Sequence, residues 1–339
     1  MRKIIFILLI FLSIGFISLS FSELEKVLET LRQSSVLFLL LAVLVQGGWI
    51  MNEALIYQKL YRLMDLRESL WRLALLSVAG NFVNIIAPTG GMSSMAVFVD
   101  DAARRGHPRG RAAAASALFL FLDYAAFLVV LTLGLIVLVR RNELNAGEIT
   151  ASVLMFGLAL ALGVIIYVGA QSGKQLGKLL AWGARLVNTI TRPIIKRDYL
   201  HEARAHEFAT EIAEGLSVLH GQPRGLIKPY LLALLGKALQ IVILMLTFLD
   251  FRVVFSSGTL IAGFATAYLF LIISPTPSGV GVVEGILPLA LTSLRVPWEQ
   301  AVISTLAYRA VTFWLPLALG GPSLRLLQHT SPPAKETTS

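Results

Sequence analysis

Two proline- and glycine-rich interruptions constrain this chain more than any other feature: Ala87-Pro88-Thr89-Gly90-Gly91 and Ser274-Pro275-Thr276-Pro277-Ser278-Gly279. Each ends a long apolar block and is followed by an apolar piece, 92–99 or 282–294, too short to cross a bilayer. The long blocks fall at roughly 4–21, 35–57, 70–87, 112–139, 149–170, 226–249, 258–274 and 301–320. At 1.5 Å per residue each can cover a hydrocarbon core of about 30 Å. With 56% of its 339 residues apolar and 14% charged, the chain is not an ordinary water-soluble domain. The expected fold is an all-α integral membrane protein of about eight transmembrane helices plus two re-entrant helical hairpins. It forms one polytopic domain over 1–330, with a disordered tail at 331–339. The absence of cysteine excludes disulfides, thiolate metal sites and a cysteine nucleophile.

Positive charge sets the orientation, because Lys and Arg collect on the cytoplasmic side of a membrane protein. With the N-terminus inside and both short pieces folding back to the side they came from, 21 Lys and Arg lie inside and 6 outside, while Lys237 and Arg309 fall within spans. Both termini are then cytoplasmic, in a cell (plasma or inner) membrane. Met1-Arg2-Lys3 could open a secretory signal, but the run Ile4 to Phe21 is long for one and lacks a cleavage site, so it reads as a retained first helix. The formal net charge of +9 points to an anionic lipid surface on the cytoplasmic side and not to nucleic acid. The loop 171–225 carries part of that charge in a basic amphipathic pattern suited to such a surface.

The two interruptions also look like copies. A shift of 189 residues places Pro88 on Pro277, Gly90 on Gly279 and Ala112 on Ala301 without a gap. Under the charge-based topology the units, about 70–139 and 258–321, enter from opposite faces and form an inverted repeat. Interrupted helices leave backbone amides and carbonyls that lipid cannot solvate, so the breaks must face protein or a water-filled cavity. Many secondary transporters place the substrate site between inverted repeats of this kind.

Five ionisable residues sit within the apolar blocks or at the breaks: Glu53, Asp123, Lys237, Glu284 and Arg309. A central Asp, Lys or Arg costs about 2.5–3.5 kcal/mol on insertion, so these side chains should face the protein interior. Asp123 and Arg309 are roughly 12–17 Å deep and can pair, either as a clasp between helices or as a functional pair. Lys237 is similarly deep, with Gln240 one turn away. Glu53, near a cytoplasmic end, is expected to snorkel to the interface. Glu284 lies in the first turns of the short helix after Pro277, Gly279 and Gly281, where free N–H groups and the positive dipole end could hold a lipid phosphate. It could equally cap its own helix or pair with Arg309. Asn81 and Asn84 share a helix face just before Pro88, with Ser77 a turn earlier; they either line a path with Gly90 and Gly91 or join helices as polar glue.

The run Ser274-Pro-Thr-Pro-Ser-Gly-Val-Gly-Val-Val-Glu-Gly285, with Tyr308-Arg309, Trp314-Leu-Pro316 and Gly320-Gly321, resembles the C-terminal signature of the lysylphosphatidylglycerol synthase transmembrane, or flippase-like, family. Asn81 with Pro88-Thr-Gly-Gly91 resembles the family's earlier break. The likeness spans nearly the whole chain and places Glu284 and Arg309 on the family's acidic and Tyr-Arg positions. Where the family more often has Pro-Gly-Gly, this chain has Pro-Ser-Gly-Val, and no soluble aminoacyl-transferase domain follows the last span. The resemblance implies translocation of a lipid, a phospholipid or a polyprenyl-linked lipid, that another, lipid-modifying enzyme makes.

No hydrolase elbow, Ser–His dyad or Walker loop is present, and His201, His206 and His220 lack a metal-ligand spacing. The expectation is therefore a lipid flippase without cofactor, metal or catalytic residues. A membrane scaffold for a lipid-modifying enzyme is the main alternative. A lipid-carrier glycosyltransferase is weaker, since Asp100-Asp101 is a lone acidic pair in a basic loop.

Overall fold

The computed structural model describes residues 25–86, 92–141, 146–171, 175, 223–274 and 276–330. The expected first span, Pro88, Gly90 and Gly91, most of the amphipathic loop with its three histidines, and the tail lie outside the described residues. All regular structure among the described residues is helical. After a short helical stretch at 25–33 come α1 (Val36–Leu63), α2 (Leu70–Ile86), α3 (Met92–Arg104), α4 (Arg109–Arg141) and α5 (Ala146–Gln171). Then follow α6 (Ile227–Asp250), α7 (Ser257–Ile273), α8 (Val282–Ser293), α9 (Trp298–Arg309) and α10 (Leu315–Thr330). A π-helical turn, Ala310–Trp314, joins α9 to α10.

Among the described residues, four helices are long and apolar enough to cross a bilayer: Val36–Leu63, Arg109–Arg141, Arg224–Asp250 and Trp298–Leu327. Exposed Leu, Val and Ile side chains line their outer faces, including Leu40, Leu44, Leu133 and Leu231, as expected of surfaces solvated by lipid. The chain is thus a multi-pass, all-helical membrane protein. The segments expected to span at 70–87 and 258–274 form α2 and α7, each 17 residues and only about 25 Å long. Both stop at the interruptions, because the residue preceding a proline is driven out of the helical region and proline offers no N–H. The block at 149–170 is covered by α5.

Beyond each interruption the chain turns back. Arg72 near the start of α2 holds Asp101 near the end of α3, with Nε–Oδ2 at 3.1 Å and Nη2–Oδ1 at 2.5 Å. Farther along, a Cβ added at Gly80 would strike the Ser94 hydroxyl, so α2 and α3 lie antiparallel and close. In the second unit Gly263 of α7 lies against Leu291 of α8, while Leu271 lies against Gly279 at the tip. The pairing again runs antiparallel.

The likeness of the two halves extends beyond the interruptions. α1 and α6 end in the same turn, in which Asp65 and Arg252 both take left-handed φ of 54°. The next N–H then bonds back across the helix end, Leu66 to Tyr61 O and Val253 to Phe248 O, each at 2.8 Å. Ser69 and Ser256 follow, and their hydroxyls accept from Arg72 N and Thr259 N at 3.2 Å, opening two helices of equal length. All these matches are 187 residues apart. After the short helices, Gly106 and Arg295 repeat the left-handed turn, and the carbonyls of Pro108 and Pro297 start α4 and α9; these lie 189 apart. Counterparts α1 and α6 pack antiparallel. Ser35 at the start of α1 donates its backbone N–H to Asp250 at the end of α6 (2.9 Å), and the amide of Asn52 donates to Leu232 O (2.9 Å).

Close approach at Gly80 gives a test of the first hairpin. Gly80→Leu should destabilise the protein by about 1–3 kcal/mol through overpacking. Gly48→Leu, where nothing lies within 4 Å of an added Cβ, should not. Thermal unfolding midpoints in detergent report the difference.

Candidate functional site

A cavity of about 240 Å³ lies where the end of α2 and the start of α3 approach the second interruption. Its wall takes Asn81, Asn84 and Ile85 from the end of α2, Ser94 and Met95 from the start of α3, and Tyr268, Leu271 and Ile272 from α7. Ser274, Thr276 and Ser278 come from the second interruption itself, and Trp49, Glu53 and Tyr57 from α1. α4 adds Ser116, Phe119, Leu120, Asp123 and Tyr124, α6 adds Gln240, and Arg309, Thr312, Phe313 and Pro316 complete the lining.

The second interruption is built from side chains that satisfy irregular backbone. Thr276 N–H donates to the Ser274 hydroxyl at 3.1 Å. Pro277–Gly279 form a single 3₁₀ turn, in which Ser278 adopts a left-handed φ of 47°. Gly279 (φ 69°) leaves no room for a Cβ between Val283 and Leu271, which explains glycine at that position. Gly281 (φ 79°) is the N-cap of α8, and its N–H donates to Glu284 Oε2 at 2.7 Å. Glu284 therefore caps its own helix. Its other oxygen accepts from Arg309 Nε, so both local roles expected for Glu284 are realised in one carboxylate. Arg309, 2% exposed, also donates from Nη2 to the Ser278 carbonyl at 3.2 Å and lies 4.3 Å from the Phe313 ring centroid. The π-helical turn starts right after Arg309 and leads into Pro316, which has no N–H for a normal α-turn.

The other pairing differs from the depth argument. Asp123 is held not by Arg309 but by Lys237, with Nζ–Oδ1 at 2.7 Å. Tyr268 closes the triangle: Lys237 Nζ donates to its hydroxyl at 2.6 Å, the hydroxyl donates to Asp123 Oδ2 at 3.1 Å, and the ammonium sits 4.0 Å from the ring centroid. Equal depth left Arg309 and Lys237 both eligible. The choice fell to packing, since α4, α6 and α7 converge on this level while Arg309 is occupied by the tip of the second hairpin. Each ion pair presents only one member to the cavity, Asp123 from the first and Arg309 from the second.

Glu53 corrects a second expectation. It does not reach an interface but is 5% exposed and faces the cavity, accepting from Asn81 Nδ2 at 3.0 Å. The reason is the length of α1, which runs on to Leu63 and so places Glu53 ten residues inside its end. Asn81 thus serves as a partner of Glu53 as well as a wall residue, and Asn84 lines the cavity beside it. Ser77 is fully buried, with its hydroxyl unbonded in the described structure. Asp100 and Asp101, weighed as an acidic pair, are held separately by Arg104 (2.8 Å) and Arg72.

Sequence reasoning missed Tyr268, Trp49, Tyr57, Ser274 and Thr276. The signal for Tyr268 was the half-to-half offset: 187 residues separate it from Asn81, and both bond an ionisable partner at the cavity wall.

Fold and site together define a polytopic helical membrane protein with a charged, hydroxyl-rich cavity between two interrupted hairpins. The family described as the lysylphosphatidylglycerol synthase TM region matches residues 3–320, and the chain belongs to that family. No curated protein matches the chain.

The buried pair yields a double-mutant test. Lys237→Met alone should cost about 3–5 kcal/mol by stranding Asp123, and adding Asp123→Leu should restore most of that loss. Unfolding midpoints of the two single variants and the double variant in detergent measure the coupling.

Proposed function

We propose that this protein is a lipid translocator in the cell membrane, moving a polar or charged headgroup through the cavity while the acyl chains stay in the bilayer. The observation that carries the reading is that the helix ends flanking the first interruption, the second interruption itself and the charges Glu53, Asp123 and Arg309 converge on one cavity inside an apolar helical shell. Buried ionisable groups at membrane depth are expensive and mark substrate or ion pathways. The antiparallel packing of counterparts α1 and α6, with the end turns that recur 187–189 residues apart, supports two inverted units, each dipping a hairpin (α2–α3, α7–α8) into the bilayer from its own face. Both termini are then cytoplasmic. In such folds the site lies between the units, and access alternates as one rocks against the other.

Within this reading the cation and the neutral polar groups have distinct tasks. Arg309, already oriented by Glu284 and the Ser278 carbonyl, offers a cation to a lipid phosphate as it enters. The Ser274 and Thr276 hydroxyls and the Asn84 amide replace waters that the headgroup leaves behind. Family membership supports a role with membrane lipids.

Reconstitution in vesicles carrying fluorescent headgroup lipids, with dithionite quenching of the outer leaflet, tests the reading. The wild-type chain should render inner-leaflet probe accessible. Arg309→Ala and Glu284→Gln should slow this by about tenfold or more, the effect of losing a charge-assisted bond worth about 1.5–3 kcal/mol. Wild-type rates equal to those of protein-free vesicles for every headgroup tried would refute it.

A further inference from the structure

Counting counter-charges around the cavity leaves one carboxyl over. Asp123 has Lys237 at 2.7 Å, and Glu284 has Arg309. Glu53 has no cationic partner among the described residues; its bonded neighbour is the neutral amide of Asn81. The groups facing it from each packed element are Asn81 on α2, Asp123 on α4 and Lys237 on α6, with Tyr57 one turn on along α1, while Arg309 shares the cavity. Lys237 is committed to Asp123 and to the Tyr268 hydroxyl, so the nearest cation is already neutralised. An ionised carboxylate buried beside a second carboxylate, with no cation of its own, is not a stable arrangement.

The other half of the molecule shows what a permanently neutral side chain looks like at this point. At the 187-residue offset Glu53 falls on Gln240, which also lines the cavity. Its Oε1 is buried without a hydrogen-bond partner in the described structure. Two counterpart helices thus present the same length of side chain to the same cavity, one able to exchange a proton and the other not.

We propose that Glu53 is a proton-binding site of the cavity, and that its proton exchange couples headgroup movement to a transmembrane proton gradient. An O–H bond forms at the carboxylate as one O–H bond of a hydronium ion in the cavity water breaks on one side. When access switches to the other side that bond breaks and the proton joins water there as hydronium. No other protein group changes its covalent state. The proposal deepens the translocator reading and rests on it for the coupling, whereas the protonation site itself can be observed without any lipid movement.

The test uses the full chain in vesicles of phosphatidylethanolamine and phosphatidylglycerol. In pH-difference infrared spectra the wild type should show a protonated-carboxyl C=O band at neutral pH. The band should be lost in Glu53→Gln and shifted in Glu53→Asp. Gln keeps the acceptor that Asn81 uses and copies the residue tolerated at 240, so the variant keeps the fold. A wild type without the band, or the same band in Glu53→Gln, overturns the site. In the same vesicles, translocation of a fluorescent phosphatidylglycerol analogue should change several-fold on imposing a pH gradient, and Glu53→Gln should lose that response. Equal responses in wild type and variant overturn the coupling. A wild type with the band that moves no lipid refutes the translocator reading, and the coupling with it, but not the protonation site.

Discussion

The need to neutralise charge inside an apolar shell organises this structure. Lys237, Asp123, Glu284 and Arg309 would each be costly alone at membrane depth, and each is made tolerable by a partner on another helix. Those partnerships do more than cancel charge. Lys237 on α6 reaches Asp123 on α4 and Tyr268 on α7, tying three helices together at one level. Arg309 on α9 reaches Glu284 on α8 and the Ser278 carbonyl, fixing the tip of the second hairpin against the last long helix. The cavity is the space left between these two clamps.

The same accounting applies to the backbone. Chain that leaves the helix at membrane depth must find hydrogen-bond partners within the protein. At the second interruption these are supplied by a guanidinium, a serine hydroxyl and the carboxylate of Glu284. Short polar side chains and a capping acid therefore let a helix stop inside an apolar environment. They also leave hydroxyl and amide groups lining the cavity, so satisfying the backbone and giving the cavity a polar wall are one solution.

Much of the architecture was legible from apolar run length and proline placement. α1, α4, α6 and the α9–α10 helix fall on expected blocks, and α2 and α7 end where proline and glycine interrupt them. The boundaries drifted where helices continue past their apolar run: α1 proceeds through Gln58, Lys59 and Arg62 because Leu60 and Tyr61 still have a core to enter. The wider likeness of the halves was hard to read, since three of its four turns use Asp65, Arg252 and Arg295 at left-handed positions where glycine would have advertised them. Of the site, Glu284 and Arg309 were recognisable as one of two candidate pairs, the other being Asp123 and Arg309, and the structure makes the first. Asp123 and Lys237 were not, because depth along a helix axis says nothing about which way a side chain faces around it.

By itself the sequence determined the solvent in which this chain folds, the places where its helices must stop, and the presence of buried charges needing partners. These follow from hydropathy, proline geometry and the cost of desolvation, which are properties of the residues themselves. Only the tertiary structure decided which charges meet, that Glu53 turns inward beside Asn81, and that α2, α3 and the second interruption open on one cavity. Those outcomes depend on the rotation and crossing of helices far apart in the chain, set by how small residues such as Gly80 and Gly263 let neighbouring helices approach.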